Sequence, residues 1–212
     1  MSKIKLTKGE LKKQRDSLKQ FQHYLPTLQL KKQQLQMKIL EARRAIIEKQ
    51  AMLCDREEKM NVWLGLFADP LIADEGTGVN FKHWITPVKI ITDRVNIAGA
   101  SIPIFKDIVF PSIEFNFYLA PFWVDRAIVE LRGYTKVLAE ITVLEEQIRI
   151  LEHELRVTTQ RVNLFEKVKI PECKNNIRVI RIYLGDQQAN AVGVSKVAKR
   201  KVEMRDLAEA GA

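Results

Sequence analysis

LKKQRDSLKQFQHYLPTLQLKKQQLQMKILEARRAIIEKQAMLCDREEKMNVWLGLF, residues 11–67, keeps one seven-residue spacing from end to end. Leu11, Leu18, Leu25, Lys32, Ile39, Ile46, Leu53, Met60 and Phe67 recur at one position. Three residues further on, Gln14, Phe21, Leu28, Leu35, Ala42, Lys49, Arg56 and Trp63 form the second. Most are apolar, and a seam sustained over this many heptads is a coiled-coil pattern, since an ordinary surface helix drifts off a strict 3.5-residue repeat. The reading is a single helix over residues 3–66, about 90 Å long at 1.5 Å per residue. A lone amphipathic helix of that length leaves its apolar stripe in water, so it requires a partner helix.

The partner lies in the same chain. From Val124 the residues Ile128, Leu131, Leu138, Ile141, Leu144, Ile148, Leu151, Leu155, Thr158, Val162 and Phe165 recur at helical spacing. The three-plus-three step Leu138–Ile141–Leu144 reads as a stammer that overwinds the coil locally. Val162, Phe165 and Val168 are placed on one side of QRVNLFEKVKIPE (160–172), which runs into Pro171. Proline inside a helix breaks or kinks it. The spacing resumes at Ile177, Ile180 and Leu184, then fades through Gly185 and Gly193 into KVAKRK (196–201).

The middle differs in character. DPLIADEGTGVN (69–80) reads as loop from its proline, glycines and acids. VKIITDRVNIAGASIPIF (88–105) is rich in β-branched residues and predicts two strands turning at Ala98-Gly99. Ile113, Phe115, Phe117 and Leu119 alternate as a third strand would. The predicted fold is therefore mainly α, an antiparallel two-helix coiled coil with a short β-hairpin insert. It is a single elongated domain: helix 3–66, insert 67–123 with its hairpin at about 88–108, helix 124–203 and tail 204–212. With Leu66 facing Phe122, paired residue numbers total about 188, which sets Leu11 against Ile177 and Cys54 against Tyr134. Pro26 and Pro171 then fall within about three turns of each other, and the rod is expected to bend there.

Charge follows the same division. Residues 1–66 carry 15 Lys and Arg against 7 Asp and Glu, and residues 156–205 carry 12 against 4. Residues 67–155 carry 8 against 13, so two basic arms flank an acidic centre. Such arms can lie along RNA, because phosphates respond to Lys and Arg density, although base-stacking aromatics are sparse among them. An acidic protein socket fits equally well, and an adaptor coiled coil that dimerises through the heptads is a third reading. Trp63, Trp84, Trp123, Phe115, Phe117 and Phe122 gather near the fold-back end, either as a small core or as an exposed docking patch.

Chemistry is hard to find in this sequence. EGTGV (75–79) lacks the Lys-Ser/Thr of a phosphate loop. His23, His83 and His153 share no metal-ligand spacing with cysteine or with one another, and His23 and His153 are expected on solvated faces. Glu57-Glu58 and Glu145-Glu146 are neighbours that diverge on a helix. No catalytic group, cofactor site or metal site emerges. Two distant cysteines and the absence of a signal-peptide pattern point to the cytosol, and no uncharged run approaches a membrane span.

TTQRVNLFEKVKIP (158–171), followed by Ile177, Ile180 and Leu184, resembles the signature of the D subunits, the central-stalk rotors of V/A-type rotary ATPases, whose pattern is close to R-R-V-N-A-L-E-x-x-x-I-P. Arg161, Val162, Asn163, Glu166, Ile170 and Pro171 match it position by position. VNIAGASIPIF (95–105) resembles the hairpin segment of that family, and Leu28, Lys31, Lys32 and Leu35 its Leu-Leu-Lys-x-Lys-Arg run. Gln160 replaces the first arginine, Leu164-Phe165 replace Ala-Leu, and Pro26 stands where glycine is usual, which suggests a divergent bacterial branch.

The resemblance implies a non-catalytic rotor that couples ATP hydrolysis or synthesis to proton or sodium ion transport. It implies Lys31, Lys32, Leu35 and the six matched C-terminal residues as rotor-interface positions. Its partners would be the catalytic and nucleotide-binding ring subunits (A and B type), the small F-type stalk subunit and the membrane-side socket subunit (C/d type), with no nucleic acid. The location implied is cytoplasmic, peripheral on the membrane through the complex. The basic terminal arms would enter the ring against acidic loops, and the bend at the prolines would let a turning shaft distinguish one catalytic interface from the next.

Overall fold

The computed structural model describes residues 4–68, 80–114, 118 and 120–210, the side chains of 68 and 206–210 excepted. Helix α1 spans Lys8–Asn61, α2 Phe81–Ile85, strand β1 Lys89–Ile97 and strand β2 Ala100–Val109. Helix α3 spans Val124–Asn163, a π-helical turn covers Leu164–Lys169, and α4 runs Ile170–Ala210. Two compact units result, residues 31–157 and residues 1–30 with 158–212.

Helix α1 starts at a side-chain N-cap: the Thr7 hydroxyl accepts the Glu10 backbone N–H at 3.3 Å, which satisfies a donor the first turn would leave free. Every position of the seven-residue pattern from Leu11 to Phe67 is buried or half-buried. The helix nonetheless ends at Asn61, short of the expected 66. A 3-10 helix, Leu64–Ala68, comes next, and the Trp63 and Leu66 amides donate to carbonyls three residues back. Since α3 begins at Val124, a register near 188 leaves α1 no partner beyond about residue 64.

In the unit of residues 31–157, α1 and α3 pair antiparallel. Lys31–Glu154, Lys49–Glu140 and Arg56–Glu130 are ion pairs whose residue numbers total 185, 189 and 186. Arg43–Glu152 departs from this, its long side chain reaching diagonally. Leu53, Val137 and Ile141 form one buried cluster between the helices, with Ile46 and Tyr134 against it. Leu138 is exposed, so the expected stammer does not occur: the seam passes through Tyr134 and Val137 and reaches Ile141, Leu144, Ile148, Leu151 and Leu155 in unbroken alternating steps. The misleading signal came from α3 burying two faces. Along its second face Lys136 pairs with Asp107, and the Gln147 amide donates to the Pro103 carbonyl at 2.6 Å, both on the hairpin.

The hairpin turns where expected. Ala98 and Gly99 have φ of 50° and 81°, the two positive values of a type I′ loop, and Ile97 pairs with Ala100 across it. Ala100 and Ile102 then pack on Leu35, Ile39 and Leu151 in a second buried cluster. A bulge at Lys106 shifts the register between Ile91–Asp107 and Thr92–Phe105. The left-handed region costs an alanine about 1 kcal/mol that asparagine or glycine largely avoids. Ala98→Asn is therefore expected to stabilise the protein by roughly that amount, read as a rise in the urea midpoint at unchanged slope.

Residues 111–114, Ile113 among them, are not a strand, and Phe115, Phe117 and Leu119 lie outside the described residues, as does the expected loop at 69–80 apart from Asn80. Helix α2, not anticipated, is capped by Asn80, whose side chain accepts the His83 N–H at 3.0 Å.

In the unit of residues 1–30 and 158–212 the helices again pair antiparallel. The Phe21 and Phe165 rings meet at 5.0 Å, and the Asn176 amide donates to Gln14 at 3.4 Å, residue numbers totalling 186 and 190. Val162, Cys173, Asn176, Ile177 and Ile180 are buried. Helix α4 continues well past 203 and through Gly185 and Gly193, neither of which has a neighbour within 4 Å of a built Cβ. Each glycine costs a helix about 1 kcal/mol against alanine, which the surrounding Ala, Gln, Lys, Arg and Glu offset.

Candidate functional site

Pro171 explains the turn that precedes it. Lacking an N–H, it cannot bond the carbonyl four residues back, and its ring crowds that carbonyl. The chain accommodates this with one extra residue: the Ile170 N–H donates to the Phe165 carbonyl, five residues back, and the turn from Leu164 to Lys169 is π-helical. The extra residue rotates the start of α4. Val168, expected beside Val162 and Phe165, is exposed, whereas Lys169 and Ile170 are half-buried and Cys173 enters the core. Without that rotation Glu172 would take a core position. The π turn thus brings the downstream sequence into phase, which a heptad count through Val168 misses.

Around this turn Arg161, Asn163, Glu166 and Pro171 are exposed, Ile170 is half-buried and Val162 is buried. Val162 is a packing residue; the exposed four form the surface of the motif. Lys31, Lys32 and Leu35 belong to the unit of residues 31–157. Leu35 is fully buried under the hairpin, and Lys32 is half-buried. The Lys31 amine lies 3.8 Å from the Glu154 carboxylate and 3.4 Å from where a Cβ on Gly99 would stand. Lys31 therefore ties α1 to α3 beneath the hairpin turn. That role was not visible from the helix spacing alone.

The remaining polar seam positions are partnered too. Lys49 pairs with Glu140, and Arg56 lies against Gly133, where a Cβ would come within 2.6 Å of its guanidinium. The Tyr134 hydroxyl donates to Glu57 at 2.7 Å, and this bond to a carboxylate holds its pKa above the usual phenol value. At the fold-back end Phe67, Phe81, Trp84 and Trp123 pack with ring centroids 5.1 to 6.1 Å apart. Trp84, Val124 and Ile128 are buried there, so these aromatics form a core. Phe122 stands apart from it, almost fully exposed, and does not face Leu66; Tyr118 is exposed as well. Arg132 holds this end together, donating to the Trp84 and Pro111 carbonyls at 3.1 and 2.6 Å beneath the Phe110 ring.

Among the described residues no three His, Cys, Asp or Glu side chains gather as metal ligands would, and no helix is long and apolar enough to cross a membrane. His23 and His153 are exposed, and Cys54 and Cys173 are both free thiols. Burial pushes the Cys173 thiol pKa up. The side chains assemble helices and seat a hairpin.

Antiparallel paired helices, a two-stranded insert and a π turn ahead of Pro171 define a helical-hairpin protein. Comparison with known proteins agrees over nearly the whole chain. The sequence model of the ATP synthase D-subunit family matches residues 10–200. The V-type ATP synthase D subunit of Borreliella burgdorferi is 45% identical over 199 residues, covering 94% of this chain and 95% of the relative. The V-type ATP synthase D subunits of Chlamydia muridarum and Chlamydia caviae are 35% and 34% identical over 204 residues, covering 95% and 96% of this chain and 97% and 96% of theirs. The chain belongs to the D-subunit family of V/A-type ATP synthases.

Proposed function

We propose that the chain is the central-stalk rotor of its complex, a non-catalytic component that couples ATP hydrolysis or synthesis in the catalytic ring to proton or sodium ion transport. The observation that carries this reading is the antiparallel pairing of N- and C-terminal helices, combined with family membership over residues 10–200. Torque requires that twisting one helix turn the other. Shared buried contacts such as Leu53 with Val137 and Ile141, and the cross-helix ion pairs Lys49–Glu140 and Arg56–Glu130, supply that stiffness.

In this reading the basic terminal arms lie within the ring of A- and B-type subunits. The exposed aromatic Phe122 and Tyr118 at the fold-back end serve the membrane-side socket subunit, and the small F-type stalk subunit binds beside the shaft. Arg161, Asn163, Glu166 and Pro171 present the rotor surface around the π turn. The rotor works on the cytoplasmic face and meets the membrane only through the complex.

Purifying the complex through a tag on this chain tests the reading. The ring subunits should co-purify, and a complex assembled without the chain should hydrolyse ATP without transporting ions. Recovery of the chain alone, or ion transport unchanged in its absence, would exclude the rotor.

A further inference from the structure

The cations of α1 are used in two ways. In the unit of residues 31–157, Lys31, Arg43, Lys49 and Arg56 each pair with a carboxylate of α3. In the other unit, Lys8, Lys12, Arg15 and Lys19 line one wall of a groove of about 680 Å³, with Lys174 and Arg181 on the opposite wall. Among the described residues none of these six makes an ion pair, and Asp16 is the only acid that lines the groove. The wall on α1 keeps helical spacing, four, three and four residues apart, and that on α4 is seven apart. Like charges on facing helices disfavour the pairing they border, so the free protein gains nothing from them.

The floor differs from the walls. Leu11, Leu18 and Ile177 line it, with Leu11 and Leu18 one heptad apart and only half-buried, and Ile177 buried. An apolar strip about 10 Å long, flanked by cations at heptad spacing, is the surface that a third helix of a coiled coil recognises. Phosphate backbones have no use for such a floor, and the aromatic Phe21 at this level is engaged with Phe165 instead of being free to stack on a base.

We propose that this groove docks an acidic amphipathic helix of a partner protein, its leucine-type seam on Leu11, Leu18 and Ile177 and its carboxylates between the two basic walls. The proposal rests on the rotor reading for the source of the partner, a segment of a surrounding subunit. Charge complementarity would speed and orient the encounter, and the apolar seam would hold it.

The test titrates the full chain with a fluorescent synthetic peptide of acidic heptads with leucine at its seam, at low and at physiological salt. A peptide with serine for each leucine and a single-stranded RNA of equal charge are compared with it. The leucine peptide should bind at least tenfold tighter than either. Lys12→Glu, which places a carboxylate across the groove from Lys174, should weaken peptide binding at least tenfold while the melting temperature stays level or rises. Equal binding of the serine peptide, tighter binding of the RNA, binding unaffected by Lys12→Glu, or no peptide binding at low salt would each overturn the groove. Failure of ring co-purification with peptide binding intact would instead remove the rotor and leave the groove standing.

Discussion

Leu35→Ala is expected to destabilise the protein by about 3 kcal/mol, within the roughly 2 to 5 kcal/mol that truncating a buried leucine costs. For a chain of this size that lowers the melting temperature by roughly 10 °C. Leu35 is fully buried between Ile39, Leu151 and the hairpin residues Ala100 and Ile102, so a cavity there loosens three elements at once. Lys31, one helical turn away, cannot substitute, since its contact with Glu154 is partly exposed and weak. Thermal unfolding by circular dichroism measures the loss, and hydrogen exchange in β1 and β2 should rise first. A change under 1 kcal/mol would mean that the hairpin does not depend on this cluster.

The second large effect separates stability from function at the π turn. Deleting exposed Val168 together with Pro171→Ala removes both the extra residue and the obstruction, so Cys173, Ile177 and Ile180 keep their core phase on an uninterrupted α-helix. Relief of the proline should stabilise the variant by up to about 3 kcal/mol. Coupled ion transport in the assembled complex should nevertheless fall, by roughly tenfold if the catalytic sites depend on ångström-scale positioning by this surface. A more stable rotor with full coupling would show that the π turn serves folding alone.

Much of this architecture was legible because two periods are hard to imitate. The heptads of α1 named a seam whose every position is buried or half-buried, and the Ala98-Gly99 turn stood out against β-branched flanks. What was lost came from residues answering to more than one neighbour. In α3 the hairpin buries a second face, which made Leu138 look like a seam residue in place of Val137. At Pro171 the chain inserts a residue into the helix, and a periodicity count has no means of placing such an insertion.

The motif residues divided similarly. Their order and spacing marked the family, but only the structure separates Leu35 and Val162, which pack, from Arg161, Asn163, Glu166 and Pro171, which face outward. Phe122 shows the same limit in reverse: sequence leaves it core or docking patch like Trp123 beside it, and only the packing of Phe67, Phe81 and Trp84 with Trp123 leaves it outside.

Rotation itself is the most direct test. Cys54 is exposed and Cys173 buried, so maleimide chemistry can attach a gold rod through Cys54 alone, with cysteines of the other subunits replaced and the ring fixed to a surface. On addition of ATP the rod should turn in one direction, in steps that slow as nucleotide is diluted. A rod that stays still while the same complexes hydrolyse ATP would contradict the rotor account.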